Sequence, residues 1–124
     1  DIVFISVGNV LSIILETEKF FRQKGISVGV VNLHTVKPLD QLLLKKLFLN
    51  YNKIIIVEEH GSAGGAGSAI LEWGSKKRYN LSKVMSIGAP DEFLTSCGNQ
   101  NQARSMIGLT PSKIYNRVKN FFNI

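Results

Sequence analysis

The chain alternates between short apolar segments rich in β-branched residues and longer segments with helical periodicity. The short segments are continuous apolar runs, which is typical of strands that helices cover on both faces of a sheet. Strand–helix alternation favours right-handed crossovers and a parallel sheet. The pattern predicts strands at 2–8, 26–33, 53–59 and 83–88, and helices at 10–24, 41–50, 66–77 and from Pro111 onwards.

Proline, glycine and capping residues mark the boundaries of these segments. Gly25 is predicted to end the first helix, and Thr110 to cap the last one. The connector at 35–40 is predicted to be a tight structural turn. In this turn Pro38 stops any strand, Asp40 caps the next helix, and Lys37 either reaches a partner acid or stays solvated.

Length and composition predict one soluble domain spanning 1–124, with 44% apolar and 19% charged residues. The net charge of +6 raises the question of nucleic-acid binding. The only basic run is 76–78 and no aromatic residues alternate with it, so we expect no nucleic-acid partner.

No apolar segment is long enough for a membrane helix, and Cys97 is the single cysteine, with no basic neighbour that would make it reactive. We therefore expect a cytoplasmic location and no membrane partner.

The segment IIIVEEHGSAGGAGSAI at 54–70 joins the third strand to the third helix and admits three interpretations. A phosphate-binding loop is disfavoured because no lysine occurs between Glu58 and Trp73. A dinucleotide-binding fingerprint is disfavoured because, counting from Gly65, its third glycine would fall at Ile70. A free nucleotide-binding domain of flavodoxin type is disfavoured for the same reasons.

Acid–base catalysis remains open for this segment, although neighbouring strand residues such as Glu58 and Glu59 point to opposite faces and would not converge on one atom. His60 could act as a general base. The third interpretation is architectural, because the glycines allow a neighbouring chain to come close. The predicted interface consists of Glu58, Glu59, His60, Gly64, Gly65 and Gly67.

Five segments in order resemble the C-terminal domain of transketolase-like thiamine diphosphate enzymes. They are DIVFISVG at 1–8, VVNLHTVKPLD at 30–40, the glycine-rich segment at 54–70, GAPDEFLTSCG at 88–98 and IGLTPSKI at 107–114. The resemblance covers essentially the whole chain. It implies a three-layer α/β/α sandwich on a mostly parallel sheet of four to five strands, one of them antiparallel. The chain starts at Asp1 rather than Met, so we expect that it is cut from a longer protein and that the missing strand precedes Asp1.

The resemblance implies a parent enzyme that uses thiamine diphosphate and a divalent cation, Mg²⁺. Both would be bound by its cofactor-binding and pyrimidine-binding domains, across a homodimer interface. This chain would then hold no catalytic, cofactor-binding or metal-binding residue. It would support assembly and be inactive alone.

His34 and His60 favour transketolase as the parent, which transfers a two-carbon ketol unit between sugar phosphates. The alternatives are the C-terminal domain of 1-deoxyxylulose-5-phosphate synthase, and that of a 2-oxo-acid dehydrogenase beta subunit acting as a docking module.

Overall fold

The computed structural model describes residues 1–95 and 98–124 of the chain. Cys97, for which the sequence predicts an unreactive thiol, and Ser96 lie outside these ranges. Strands and helices alternate up to the last strand, and two helices follow it. The elements in chain order are β1 Ile2–Val7, α1 Leu11–Arg22, β2 Val28–Leu33, α2 Gln41–Asn50, β3 Lys53–Gly61, α3 Ala66–Lys76, β4 Val84–Ala89, α4 Gln100–Met106 and α5 Pro111–Phe122.

The four described strands form one parallel sheet in the order β2-β1-β3-β4. In the register, Phe4 of β1 lies between Val30 of β2 and Ile55 of β3. The order makes β3 an interior strand, so the carboxyl end of β3 lies at the centre of one edge of the sheet. The predicted parallel α/β sheet is confirmed, and a fifth strand before Asp1 stays a prediction.

Helices cover both faces of the sheet, which gives the three predicted layers. On one face, α1 and α5 pack through Ile14 and Ile114 against a core that includes Phe4. On the other face, α2 and α3 pack through Leu44 and Ile70 against a second core. Every residue of β1 is buried, in agreement with its unbroken apolar sequence.

Helix α4 was not predicted, because its sequence QNQARSM has no apolar periodicity. The only residue in it that the structure buries is Arg104. Its sequence signal is the capping box, in which Asn99 accepts from the Gln102 backbone amide and the Gln102 side chain accepts from the Asn99 amide.

The predicted helix boundaries agree with the observed ones to within two residues, and those of α2 agree at both ends. α1 ends at Arg22, and Gly25 follows it with a left-handed φ of 74° and an amide that donates to the Arg22 carbonyl at 2.9 Å. Thr110 occupies the N-cap position of α5 but makes no side-chain capping hydrogen bond. Pro111 provides the first helical position, where the absence of an N–H costs nothing.

The two ends of α2 are held by charged side chains. At its start, Asp40 Oδ1 accepts the Leu43 amide at 2.9 Å. At its end, Lys83 Nζ donates to the carbonyls of Phe48 and Tyr51 at 2.5 and 2.7 Å, and burial lowers the pKa of Lys83. Both charges complement the helix dipole.

Replacing Asp40 with Ala should destabilise the fold by about 1 kcal/mol, because one amide at the start of α2 loses its acceptor. Asp40→Asn keeps a capping oxygen and should retain most of the stability. Urea denaturation monitored by circular dichroism measures both variants. Equal stability of Asp40→Ala and the wild type would contradict the role assigned to this cap.

Candidate functional site

The central carboxyl edge of the sheet contains an open cleft of about 430 Å³. Its walls are the end of β1 at Val7, the connector residue Val36, the end of β3, and the turn that leads into α3. Parallel α/β sheets bind ligands at this edge, because strand ends and helix starts meet there. The predicted interface segment therefore lies where the fold class places functional sites.

Glu58 lies inside the protein at this edge, with 1% of its surface exposed. Its Oε2 accepts the Ala66 amide at 2.8 Å, and its Oε1 accepts the Gly67 amide at 3.0 Å. Both donors belong to the first turn of α3, where backbone amides have no partner within the helix. Glu58 is thus a cap from a neighbouring strand, with its negative charge at the positive end of the helix dipole.

Two of the predicted interface glycines leave space for the Glu58 carboxylate. A Cβ atom on Gly65 would overlap this group, at 2.6 Å from Cδ, and one on Gly67 would overlap Ser86 Oγ and approach Glu58 Oε1 to 3.2 Å. Gly64 differs from both, because it has a left-handed φ of 77° and faces open space. A larger residue at Gly65 would therefore disturb the helix cap within this chain, whatever lies outside it.

Glu59, the next residue along β3, faces the opposite layer. Its Oε1 accepts Arg104 Nε at 2.7 Å and Gln100 Nε2 at 3.0 Å, both from α4. Arg104 also donates to the Asn9 carbonyl at 2.8 Å and so ties α4 to the turn before α1. The Arg104 hydrogen bond lowers the pKa of Glu59 against the effect of its partial burial, with smaller contributions from the Arg104 charge, the Gln100 hydrogen bond and the His60 charge.

The structure confirms that the two glutamates diverge, since Glu58 contacts α3 and Glu59 contacts α4. His60 follows them and is exposed at the cleft. The three side chains therefore do not converge as a catalytic acid–base group. Of the residues of the predicted turn, Asp40 caps α2, and Lys37 and Pro38 are exposed beside it.

Arg104 and Asn9 make contacts at this edge that the sequence did not indicate. No motif marks them, because Arg104 is 45 residues from Glu59 in sequence and 95 from Asn9. The capping box at Asn99 was the one local signal for α4. It would have located the helix but not its partner.

Comparison with known proteins identifies the domain type. The family model described as "Transketolase, C-terminal domain" matches residues 1–114. The chain belongs to this family. The resemblance proposed from the five sequence segments is confirmed.

Curated relatives of this chain carry the name 1-deoxy-D-xylulose-5-phosphate synthase. The protein from Chlamydia trachomatis is 35% identical over 123 residues, which are 98% of this chain and 19% of that protein. The protein from Dictyoglomus turgidum is 36% identical over 118 residues, or 95% of this chain and again 19% of its own length. The chain thus spans about a fifth of the length of these relatives.

Solved structures of similar fold carry the name transketolase. A "Split gene transketolase, inactive beta4 tetramer" superposes with a TM-score of 0.86 and 28% identity over 99% of this chain and 39% of that one. A transketolase from Pichia stipitis superposes with a TM-score of 0.62 over 98% of this chain and 16% of its own. Its 22% identity supports the shared fold alone.

The carboxyl edge does not fit the diphosphate group of thiamine diphosphate, the cofactor that this family implies. The first amides of α3 already donate to a carboxylate, and two glutamates place negative charge at the end of β3. Within residues 1–95 and 98–124, no group of three or more His, Cys, Asp or Glu side chains could hold a metal ion. No helix in the same ranges has the length and apolar character needed to cross a membrane.

Glu58→Gln should destabilise the protein by about 2 kcal/mol, the usual range for hydrogen bonds to a buried charged group. The amide nitrogen of Gln cannot accept, so one α3 amide would face another donor. Glu92→Gln, on an exposed loop, is the matched control and should leave stability unchanged. Urea denaturation measures both. If the free energy of unfolding falls equally in the two variants, Glu58 does not stabilise α3.

The Glu59–Arg104 contact should make stability depend on acid pH. Because the folded-state pKa of Glu59 is lowered from its ordinary value of 4.5, its contribution is fully present above that value. The contribution is lost as pH falls through the lowered folded-state pKa. Urea denaturation across the acid range should therefore show that Glu59→Gln loses less stability than the wild type as pH falls. Identical pH profiles for both would contradict the contact.

Proposed function

We propose that these residues form the C-terminal domain of a thiamine diphosphate-dependent enzyme that makes 1-deoxy-D-xylulose 5-phosphate. The observation that supports this most is the alignment with synthases of that name over 95–98% of the chain at 35–36% identity. The family match supports the domain assignment over residues 1–114. The assignment of the specific reaction, in contrast, rests on the names of the relatives alone.

In this proposal the domain assists assembly and supplies none of the reacting groups. Glu58 and Glu59 are used within the chain, which leaves neither free as an acid–base pair. Thiamine diphosphate and Mg²⁺ would be held by the cofactor-binding and pyrimidine-binding domains of the parent enzyme, in a homodimer. The exposed His60 and Gly64 remain candidates for contact with those domains, and the single cysteine suits a cytoplasmic parent.

Transketolase is the second candidate for the parent. It is favoured by the structural likeness to the split-gene transketolase, whose TM-score of 0.86 comes with 28% identity. Its reaction, the transfer of a two-carbon ketol unit between sugar phosphates, requires the same cofactor. The role of this domain in assembly would be the same in both parents.

An activity assay of the full-length protein that carries this chain decides between the two parents. Purified with thiamine diphosphate and Mg²⁺, the protein should form 1-deoxy-D-xylulose 5-phosphate, detected by mass spectrometry, and should not transfer ketol units between sugar phosphates. Omission of thiamine diphosphate is the control and should abolish the product. Ketol transfer alone would establish the second candidate, and absence of both activities would overturn the proposal. The 124-residue chain by itself should show neither activity.

A further inference from the structure

A second depression of about 580 Å³ lies next to the carboxyl-edge cleft, between the connector that precedes α2 and the outer face of α3. We call it the lysine groove. Its apolar lining comes from Val36, Leu39 and Trp73. Three lysines, Lys37, Lys76 and Lys77, are exposed along the same groove.

The groove combines an apolar strip with a cluster of positive charges. Single exposed lysines are ordinary solvated groups, and small apolar patches are common. Here three lysines line the same groove as the apolar strip, and Glu72 is the single acid in the lining. An apolar centre with a polar border is the layout of a protein-binding site, and the uncompensated positive charge would be met by a partner that carries carboxylates.

We propose that the lysine groove binds a segment of the same parent enzyme, outside these 124 residues, that carries carboxylates on both sides of an apolar side chain. The apolar side chain would cover Trp73 and Leu39, and the carboxylates would pair with the lysines. The proposal rests on the proposed function, because that function supplies the rest of the polypeptide. The matched relatives are long enough for this, since the chain covers 19% of their length.

The position of the groove supports a partner from the same enzyme. Val36 and Ala69 line both the groove and the carboxyl-edge cleft, so the two depressions form one continuous surface. A domain that covers the exposed His60 at the cleft would lie next to the groove. A second copy of this chain, docked groove to groove, would instead place like charges together.

Zero-length carbodiimide cross-linking of the full-length protein tests the proposal, because it joins lysines to carboxylates in direct contact. Peptide mass spectrometry should find Lys37, Lys76 or Lys77 linked to Asp or Glu residues that lie outside the 124 residues. Lys19 and Lys24, which are exposed on the opposite layer, serve as internal controls and should give no such links.

Two matched variants make the test specific. Lys37→Gln with Lys76→Gln removes two charges from the groove and should reduce the remaining cross-links at Lys77 several-fold. Lys19→Gln with Lys24→Gln removes the same charge from the other layer and should leave those cross-links unchanged. Each pair includes one lysine from the last turn of a helix, so their effects on helix stability are comparable.

Links from the groove lysines only to Glu72, or to a second copy of residues 1–124, would overturn the proposal. The same holds if Lys19 and Lys24 cross-link to the remaining polypeptide as efficiently as the groove lysines. The readout is a contact and not a reaction. A protein that shows the expected cross-links but makes no 1-deoxy-D-xylulose 5-phosphate would refute the proposed function and leave this docking site standing.

Discussion

The arrangement of the carboxyl edge depends on one interaction, the contact of the Glu58 carboxylate with the first amides of α3. A buried charge is stable only when hydrogen bonds replace its lost water. The two amides provide these bonds, and the carboxylate in turn provides the acceptors that the start of a helix lacks. The contact fixes where α3 begins relative to the end of β3. It also requires Gly65 and Gly67 to have no side chain.

The alternation of a strand explains why two adjacent acids serve two different layers. Glu58 faces α3, and Glu59, one residue later, faces α4 and Arg104. The central strand thereby positions a helix on each side of the sheet through a charged hydrogen bond. An acidic pair that resembles a catalytic dyad in sequence is in the structure a pair of positioning contacts, one on each face.

Features that appear as apolar runs, proline turns or short-range caps before apolar helices were predictable, and features that depend on distant contacts were not. The strand segments, the parallel sheet and the turn before α2 follow from apolar runs, Pro38 and the short-range cap at Asp40. The α4 helix was missed because it is held by Arg104 and not by an apolar face. The role of Glu58 was missed because its donors lie eight and nine residues further along, beyond a turn whose path the sequence does not specify.

The charge of the surface depends in part on the same use of acids within the fold. The chain has nine acidic and fifteen basic residues. Four of the acids, Glu18, Asp40, Glu58 and Glu59, accept hydrogen bonds from the chain itself, two of them at the starts of helices. Asp40, Glu58 and Glu59 are thus held at a helix start or a strand end, while most lysines are exposed. The excess of basic over acidic residues, together with the use of some acids within the fold, leaves the lysine groove positively charged, so a neighbour that meets it must contribute the carboxylates.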